Sequence, residues 1–528
     1  MDAVNPAPPP ARRWSALIVV ALGVALIVVD STIVNVLVGS VVEDLGVSST
    51  QAQWVQESYA IVLAALLLPA GRVADLVGAR RVFVLGIAVF GAVSVPAALA
   101  PTGPWLVAAR FLQGVGAAMI LPTSLALLNS SFTGRERGRA FAVWGSTIGA
   151  ASALGPLLGG WLAAHASWRW AFGINAPLAV LLCIGATALL TPSPRGGGRL
   201  DATGTLLSAL GLGLLAFGLV EGRTYGWLTV TRPLGPWSDG PSPALTALAL
   251  GGAALTAFVR RQTALAGQGD SARVLMNPRL FSVASFRNGN IVTVIIGLGE
   301  FGIIAVLPLW LRFTLGYSAL EAGLALLPLA VGSFAAGGAS FGAAHRITPL
   351  GQVRLGLALE AAGLGLLALV AAADTPWWPV ALALLLYGVG VGFATAQVTN
   401  VVLADIPGPL SGQAAGVQSA FRQLGSALGI AVLTTVFFTT LGTGLRTRLT
   451  ADGTPAPQAD AIAATITDSA GATTTSVPST TRITDTAHAA MTDGLSTSSY
   501  LAAAALLLAL ATTALVPRKP TPQAPHPV

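Results

Sequence analysis

Long apolar stretches recur along nearly the whole chain, and short polar or Gly/Pro-rich connections separate them. A helix rises 1.5 Å per residue, so about 20 apolar residues cross a hydrocarbon core of about 30 Å. The pattern predicts about fourteen membrane-spanning helices, at roughly 14–38, 54–73, 82–100, 104–128, 139–163, 169–190, 204–222, 243–260, 289–312, 320–344, 353–373, 377–403, 416–441 and 497–516. The predicted fold class is an all-α integral membrane protein.

Carboxylates interrupt several of these apolar stretches, at Asp30, Glu57, Glu221, Glu300 and Glu360. An ionised carboxylate in hydrocarbon costs several kcal/mol, so each acid must face a cavity, pair with a base or carry a proton. We expect Asp30 and Glu300 to bind protons, and Asp30, Glu57 and Glu300 to contact substrate. Glu221 and Glu360 lie closer to the membrane faces, where rim or inter-helix hydrogen bonds are expected. Many spans with a few buried acids are typical of a proton-coupled carrier.

Composition excludes most other classes of protein. The chain has 528 residues, 54% hydrophobic and 9% charged, whereas soluble domains carry about 25% charged residues. The single cysteine, Cys183, excludes an internal disulfide, and the only lysine, Lys519, excludes a Walker A nucleotide site. No motif for a metal site is present either. We therefore expect no enzymatic activity and no cofactor or metal.

The basic residues predict the orientation of the chain in the membrane. Of 28 basic residues, 19 fall in predicted inner loops and 7 in outer loops, while Arg110 and Arg422 lie inside spans. By the positive-inside rule, both termini are cytoplasmic in a plasma-membrane protein. The charge of +7 therefore does not indicate nucleic acid as a partner.

The order of the spans predicts two six-helix halves with an insertion. The predicted units are an N-terminal half (1–190), an inserted helix pair with an inner loop (191–288), a C-terminal half (289–516) and a disordered tail (517–528). The loop after span 2, GRVADLVGARRVFVLG, is faintly echoed after span 10 by FGAAHRITPLGQVRLGL. A Thr/Ala/Ser-rich outer loop at 442–496 has few aromatic residues, and we expect it to be mobile.

The loop after span 2 resembles the signature loop of the major facilitator superfamily, through Gly71, Asp75, Gly78, Arg80 and Arg81. The glycines allow a tight turn. The acid can sit at a helix N-terminus or beside a base of the opposite half, as a latch that breaks when the halves rock. Leu76 and Ala79 replace basic residues usual in the family, which would weaken the latch. The alternative is a solvated turn.

Two further motifs carry the same resemblance. RFLQGVGAA resembles the family's second motif, which implies a role in proton coupling for Arg110; the alternative is a static ion pair between helices 1 and 4. Span 5 is similar to the antiporter motif through Gly155, Pro156, Gly159 and Gly160, which implies a hinge or a tight seal, the alternative being a packing face.

The branch of the family is indicated by span 1, where Asp30, Thr32 and Asn35 resemble the motif of the 14-helix drug:proton antiporters of the QacA/EmrB type. The resemblance implies a proton-coupled secondary transporter that exports small amphipathic, cationic compounds by alternating access. Two alternatives stay open: a lipid or glycolipid translocase, with an apolar lateral opening between halves, and a non-transporting scaffold, with every buried acid ion-paired. Expected partners are a small-molecule substrate, protons and membrane lipid, with the chain a monomer.

Overall fold

The structure is a computed structural model that describes residues 10–47, 49–193, 197–268, 273–343, 346–407, 410–468 and 481–516. Over these residues the chain is almost entirely helical. The α-helices are, in chain order, α1 (Pro10–Leu45), α2 (Ser49–Val77), α3 (Ala79–Ala98), α4 (Gly103–Ser131), α5 (Gly134–His165), α6 (Arg169–Gly173), α7 (Asn175–Leu189), α8 (Ala202–Tyr225), α9 (Pro243–Gly267), α10 (Ala284–Phe313), α11 (Ala319–Ala325), α12 (Leu327–Ala343), α13 (Pro349–Val370), α14 (Trp377–Val402), α15 (Ser411–Ala451), α16 (Ala456–Asp468) and α17 (Thr481–Thr512). Short 3₁₀ turns lie at Pro278–Ser282 and Thr513–Leu515.

Within the described ranges, fourteen helical segments are long and apolar enough to cross a membrane. This confirms the predicted all-α membrane fold and its number of spans. The sixth segment combines α6 and α7 over Arg169–Leu189, and the tenth joins the end of α11 to α12 over Leu320–Ser340. Below, α1–α7 are called the first bundle, α8–α9 the inserted pair, and α10–α15 with α17 the second bundle.

Two spans are interrupted next to prolines. Pro328 lies in the first turn of α12 and Pro177 in the first turn of α7. Proline lacks the N–H that an interior helical position must donate, and it is tolerated mainly in a first turn. The interruption before α7 places the buried side chain of Asn175 at the start of that helix.

Glycines allow the closest helix contacts inside each bundle. A Cβ atom on Gly302 of α10 would lie 2.6 Å from the carbonyl oxygen of Gly429 on α15. On Gly116 of α4 it would lie 3.0 Å from the carbonyl oxygen of Gly86 on α3. Lipid tails are as apolar as leucine, so helix association in a membrane depends on such close packing.

Asp201, which directly precedes α8, connects the two helices of the inserted pair at one end. Arg261 of α9 donates to both carboxylate oxygens, with Nη2–Oδ1 and Nε–Oδ2 distances of 2.8 and 2.9 Å. Gln262 donates to Oδ2 at 3.1 Å. The hydrogen bond from Arg261, more than any other influence, holds the pKa of Asp201 below its ordinary value. At its other face α8 packs against α2 and α15.

The segment 442–496, predicted as a mobile outer loop, is largely helical where it is described. Helix α15 continues to Ala451, α16 covers Ala456–Asp468 and α17 begins at Thr481. Leu445 and Leu449 are buried one turn apart, and Arg446 pairs with Asp460 at 2.8 Å. The expectation of a loop that buries little is therefore wrong for these residues, and the expected mobility stays a prediction. Low hydrophobicity hid the helical period, because small residues such as Ala459 and Ala463 fill the buried positions.

Some predictions concern residues that lie outside the described ranges. They are the tail at 517–528 and the centre of the Thr-rich segment at 469–480. The predicted disorder of the tail stays a prediction.

Candidate functional site

Asp30 and Arg110 form an ion pair between α1 and α4, and each residue is 1% exposed. Nη1 of Arg110 donates to Oδ2 of Asp30. The other carboxylate oxygen, Oδ1, accepts a hydrogen bond of 2.7 Å from Nδ2 of Asn175. Both oxygens of this acid are therefore satisfied by protein groups from two other helices.

Arg110 is held by a network behind the ion pair. Its Nε donates to the carbonyl oxygen of Val55 at 3.0 Å, and its Nη1 donates to Oε1 of Gln113 at 3.0 Å. Gln113 in turn donates to Ser94 on α3 at 2.8 Å. The guanidinium carbon also lies 4.3 Å from the ring centroid of Tyr59. A change in the charge of Asp30 would therefore alter hydrogen bonds that connect α1, α2, α3, α4 and α7.

The glycines of the predicted antiporter motif pack α5 directly on α1 beside Asp30. A Cβ on Gly155 would lie 2.9 Å from the carbonyl oxygen of Val29, and one on Gly159 would lie 2.9 Å from that of Ile33. On another face of α5, the carbonyl oxygen of Pro156 lies 3.0 Å from the position of a Cβ on Gly323 of α11. Gly160 is buried in the same helix. The motif thus lies where the two bundles meet.

The second bundle contains a corresponding buried acid and base, Glu300 on α10 and Arg422 on α15. Nη2 of Arg422 lies 3.3 and 3.4 Å from the two carboxylate oxygens of Glu300. Thr395 of α14 donates to Oε2 at 3.5 Å, and Tyr387 donates to the backbone carbonyl of Glu300 at 3.4 Å. These contacts are long, so this pair is held less tightly than a hydrogen-bonded pair at 2.9 Å.

Glu360 on α13 belongs to the same cluster. It is fully buried, neither carboxylate oxygen has a hydrogen-bond partner, and it interacts electrostatically with Glu300 and Arg422. The rim or inter-helix hydrogen bond expected for this acid is absent. Two acids therefore share one arginine, and a buried carboxylate without a donor is costly unless it binds a proton.

Glu57 on α2 lies beside Glu221 on α8 of the inserted pair. The two carboxyl groups are within hydrogen-bonding distance of each other, which requires a proton on one of them. Oε2 of each residue is buried without a partner, and Glu221 is 1% exposed. Glu221 is therefore not at the rim, and its contact with Glu57 of α2 matches the other expectation for this acid, an inter-helix hydrogen bond.

The predicted latch connects α2 to the N-terminus of α15. The Asp75 carboxylate accepts hydrogen bonds from the backbone N–H groups of Gly412 and Gln413, at 2.8 and 2.9 Å. Gly71 packs against the same turn, since a Cβ there would lie 3.1 Å from the Cα of Gly416. An anion at a helix N-terminus is favoured by the unpaired N–H groups and by the helix dipole.

The basic residues of the same loop point elsewhere. Gly78 adopts a φ of 103° before α3, a conformation that favours glycine. The Arg80 guanidinium donates to the carbonyl oxygen of Thr187 on α7, and its backbone N–H donates to Ser193 at 3.1 Å. Arg81 is exposed. Arg80 thus links α3 to α7 within the first bundle, not to the second bundle.

Sequence reasoning missed a second contact between the bundles on the predicted cytoplasmic side. Arg137 of α5 donates to the side-chain and backbone oxygens of Asn400 on α14, at 3.1 and 2.9 Å. It also missed Asn175 as a partner of Asp30, because nothing in the sequence distinguishes this asparagine. Arg422 carried a signal that could have been used, since it is one of two arginines inside predicted spans.

The comparisons agree with this architecture. The model of the Major Facilitator Superfamily matches residues 20–430. The chain is 36% identical to the puromycin resistance protein pur8 of Streptomyces alboniger, over 81% of this chain and 82% of that protein. It is 32% identical to the multidrug efflux pump LfrA of Mycolicibacterium smegmatis, over 97% of both chains. The human organic anion transporter MFSD10 has the same fold, with a TM-score of 0.61 at 15% identity over 96% of this chain and all of that one.

These relatives confirm the predicted family and the predicted function in drug efflux, and they do not support the translocase or scaffold alternatives. The span count, the buried acid–arginine pairs and the glycine-lined contacts between bundles are consistent with the same assignment. This chain is a multi-pass membrane transporter that belongs to the Major Facilitator Superfamily.

Proposed function

We propose that this chain exports small amphipathic cationic compounds from the cytoplasm in exchange for protons, by alternating access of its two bundles. The observation that carries the proposal is the buried Asp30–Arg110 pair, which connects to five helices of the first bundle. Relatives named for puromycin resistance and multidrug efflux support the class of substrate.

The coupling step is the protonation of Asp30. In its ionised form the carboxylate holds Arg110 and Asn175, so α1, α4 and α7 are tied together. A proton on Asp30 removes the charge that attracts Arg110, and a buried guanidinium without its anion is unfavourable. The network must then rearrange, and that rearrangement is what a conformational change of the bundle requires.

Glu300 supplies a second proton site in this proposal. Its contacts with Arg422 are 3.3 Å or longer, and Glu360 competes for the same arginine. A cluster of two acids and one base holds a net negative charge until a proton binds. Proton binding in each bundle would allow both bundles to respond to the pH gradient.

The contacts between bundles serve as gates. On the predicted cytoplasmic side these are Asp75 with the α15 N-terminus and Arg137 with Asn400. On the opposite side α5 packs against α11 at Pro156 and Gly323. Alternating access requires these two sets of contacts to break in turn. The division into two halves with α8–α9 inserted between them is part of this proposal.

We further propose a plasma-membrane location with both termini cytoplasmic, a monomeric state, and lipid and protons as the other partners. Neither alternative function has a specific observation in its favour. The apolar groove of about 640 Å³ beside Trp54 lies between α2 and α4, inside one bundle rather than between the two. Glu57, Glu221 and Glu360 retain buried oxygens without partners, unlike the fully paired core of a static scaffold.

The decisive test is transport by purified protein in proteoliposomes. An imposed pH gradient should drive movement of a cationic dye such as ethidium against its concentration gradient. A protonophore should abolish that movement. Transport that is unaffected by the gradient, or no transport of any of a panel of cationic dyes, would contradict the proposal.

A further inference from the structure

We propose that Glu57 and Glu221 form the binding site for the charged group of a lipophilic organic cation, walled by Trp54, Phe217 and Tyr225. The inference rests on the proposed export function and names the site at which the substrate is held. It also gives the inserted pair a role, because Glu221, Phe217 and Tyr225 all lie on α8.

Charge distinguishes the Glu57–Glu221 pair from the other buried acids. Asp30 is matched by Arg110, and Glu300 shares Arg422 with Glu360. Asp30 therefore offers little net negative charge to a cationic ligand, and at Glu300 and Glu360 an approaching cation would also meet the positive charge of Arg422. Glu57 and Glu221 form no described salt bridge, and when they share one proton the pair retains one negative charge.

The charged groups on the surrounding elements are engaged elsewhere or lie further away. Arg223 of α8 lies 3.4 Å from the ring centroid of Phe438 and donates to the carbonyl oxygen of Thr467. Arg232, in the connection after α8, reaches Tyr225 only electrostatically. On α9 and α15 the described ionic partners are Arg261 with Asp201, Arg422 with Glu300, Arg446 with Asp460 and Arg448 with Asp493.

Buried oxygens of both acids lack donors from the rest of the protein. Glu221 and Tyr225 are each 1% exposed, and Oε2 of Glu221 has no hydrogen-bond donor within reach. Oε2 of Glu57 is likewise buried with no hydrogen-bond donor within reach. Tyr225 interacts electrostatically with both acids. Buried polar atoms are almost always satisfied in a protein, so two neighbouring acids with no donor beyond the proton they share indicate a ligand position.

Three aromatic rings form a wall next to the two acids. The rings of Trp54 and Phe217 stack with centroids 5.9 Å apart, and those of Phe217 and Tyr225 stack with centroids 6.3 Å apart. Three aromatic rings next to two carboxyl groups form the environment that binds lipophilic cations, through cation–π attraction together with charge.

A groove lies next to one wall of the proposed site. The groove between α2 and α4 is lined mainly by apolar residues and reaches Trp54. Glu57 follows Trp54 by three residues on α2 and so lies on the same face of the helix. Glu57 is only partly buried, and Phe111 and Leu112 of the groove are half exposed. A lipophilic body fits the groove while its charged group lies at the carboxyl pair.

At this site a proton and a cationic drug would compete for the same negative charge. With one shared proton the pair carries one negative charge, which a monovalent cation neutralises. A second proton neutralises the same charge, so the cation must displace that proton to bind. Competition of this kind is the coupling that exchange requires.

The test measures equilibrium binding of radiolabelled tetraphenylphosphonium to the purified full-length protein in detergent, from pH 6 to pH 8. This probe has no titratable group, so any pH dependence belongs to the protein. The parent should bind it saturably, and more weakly as the pH falls. The double variant Glu57→Gln/Glu221→Gln has no charge at the site and should lose at least about tenfold in affinity.

Each single variant, Glu57→Gln or Glu221→Gln, keeps one negative charge and should lose less affinity than the double variant. The double variant Asp239→Asn/Asp374→Asn removes two exposed loop acids and should bind like the parent. Trp54→Leu leaves the charge intact and should bind the probe about fivefold more weakly, because one ring of the cation–π contact is removed.

Two results overturn the inference: no saturable binding by the parent, or equal affinity in the parent and the Glu57→Gln/Glu221→Gln variant. If that equality is found while the parent transports ethidium under a pH gradient, the site is wrong and the export function stands. If the parent does not transport at all, the export function itself fails.

Discussion

Arg110 and Asp30 meet in the interior of the first bundle, and Asn175 occupies the carboxylate oxygen that the arginine leaves free. Neither residue of the pair is more than 1% exposed. When Asp30 gains or loses a proton, neighbouring protein groups rather than bulk water must therefore compensate the change in charge. The first two predictions follow from this geometry.

Replacing Asp30 by asparagine should reduce substrate-induced proton release, leaving only the proton displaced at Glu57 and Glu221, with the fold intact. The amide occupies the same space and its oxygen can still accept from Arg110, but it cannot bind or release a proton at physiological pH. The measurement is proton release by the detergent-solubilised protein when substrate is added, with Asp239→Asn as the control. Equal release from the parent and Asp30→Asn would place the coupling proton elsewhere, and Glu300 would be tested next.

Removing the arginine instead should destabilise the protein. Arg110→Gln leaves Asp30 buried without a cation, and breaking a buried pair from one side costs about 3–5 kcal/mol. The double variant Asp30→Asn/Arg110→Gln removes both charges and should recover much of that loss. Thermal unfolding in detergent gives the comparison, and a double variant no more stable than Arg110→Gln would contradict the argument.

Replacing Asp75 by asparagine should weaken the contact between α2 and the α15 N-terminus. One of its two backbone hydrogen bonds is lost, and so is the charge that favours a helix N-terminus, together worth about 1–2 kcal/mol. About 1.4 kcal/mol changes the ratio of two conformations tenfold. We expect slower turnover under a full gradient with little change in substrate affinity. Turnover equal to the parent's would make this loop a simple turn.

The orientation can be tested with single cysteines after Cys183 is replaced by alanine. Arg135→Cys lies in the first turn of α5, and Asp452→Cys lies at the end of α15; both positions are exposed. The positive-inside rule predicts that an impermeant maleimide labels residue 452 but not residue 135 on intact cells. The reverse pattern would invert the topology.

The Asp201–Arg261 contact predicts a pH dependence of stability. Because Arg261 holds the pKa of Asp201 below the ordinary value of 3.8, the ionised form is the one that stabilises the fold. Its contribution, about 2 kcal/mol, is complete above the unfolded-state pKa and is lost as the pH falls through the folded-state pKa. Asp201→Asn should therefore be less stable than the parent at pH 6–8, and the difference should shrink below about pH 4. A difference that does not change with pH would contradict the assignment.

The sequence by itself determined the spans, because only a long apolar segment satisfies its backbone hydrogen bonds inside a membrane. It also determined which residues are unusual there, including Asp30, Glu300 and Arg110. The loop from Gly71 to Arg81 and the glycines of α5 identified the family, because their spacing is local in the chain. The helicity of the Thr-rich segment was not visible, because alanine and threonine give a weak hydrophobic period.

Only the tertiary structure decided which acid meets which partner. A helix in a bundle of this size is apolar on most of its faces, so its period does not say which face a given neighbour covers. Glu57, for example, meets Glu221 of a helix more than 140 residues later, a contact that the sequence did not indicate. Asn175 likewise reaches Asp30 only because α6 and α7 are interrupted before Pro177. The rotation of each helix about its own axis is set by packing, and that is where the chemistry of these acids was decided.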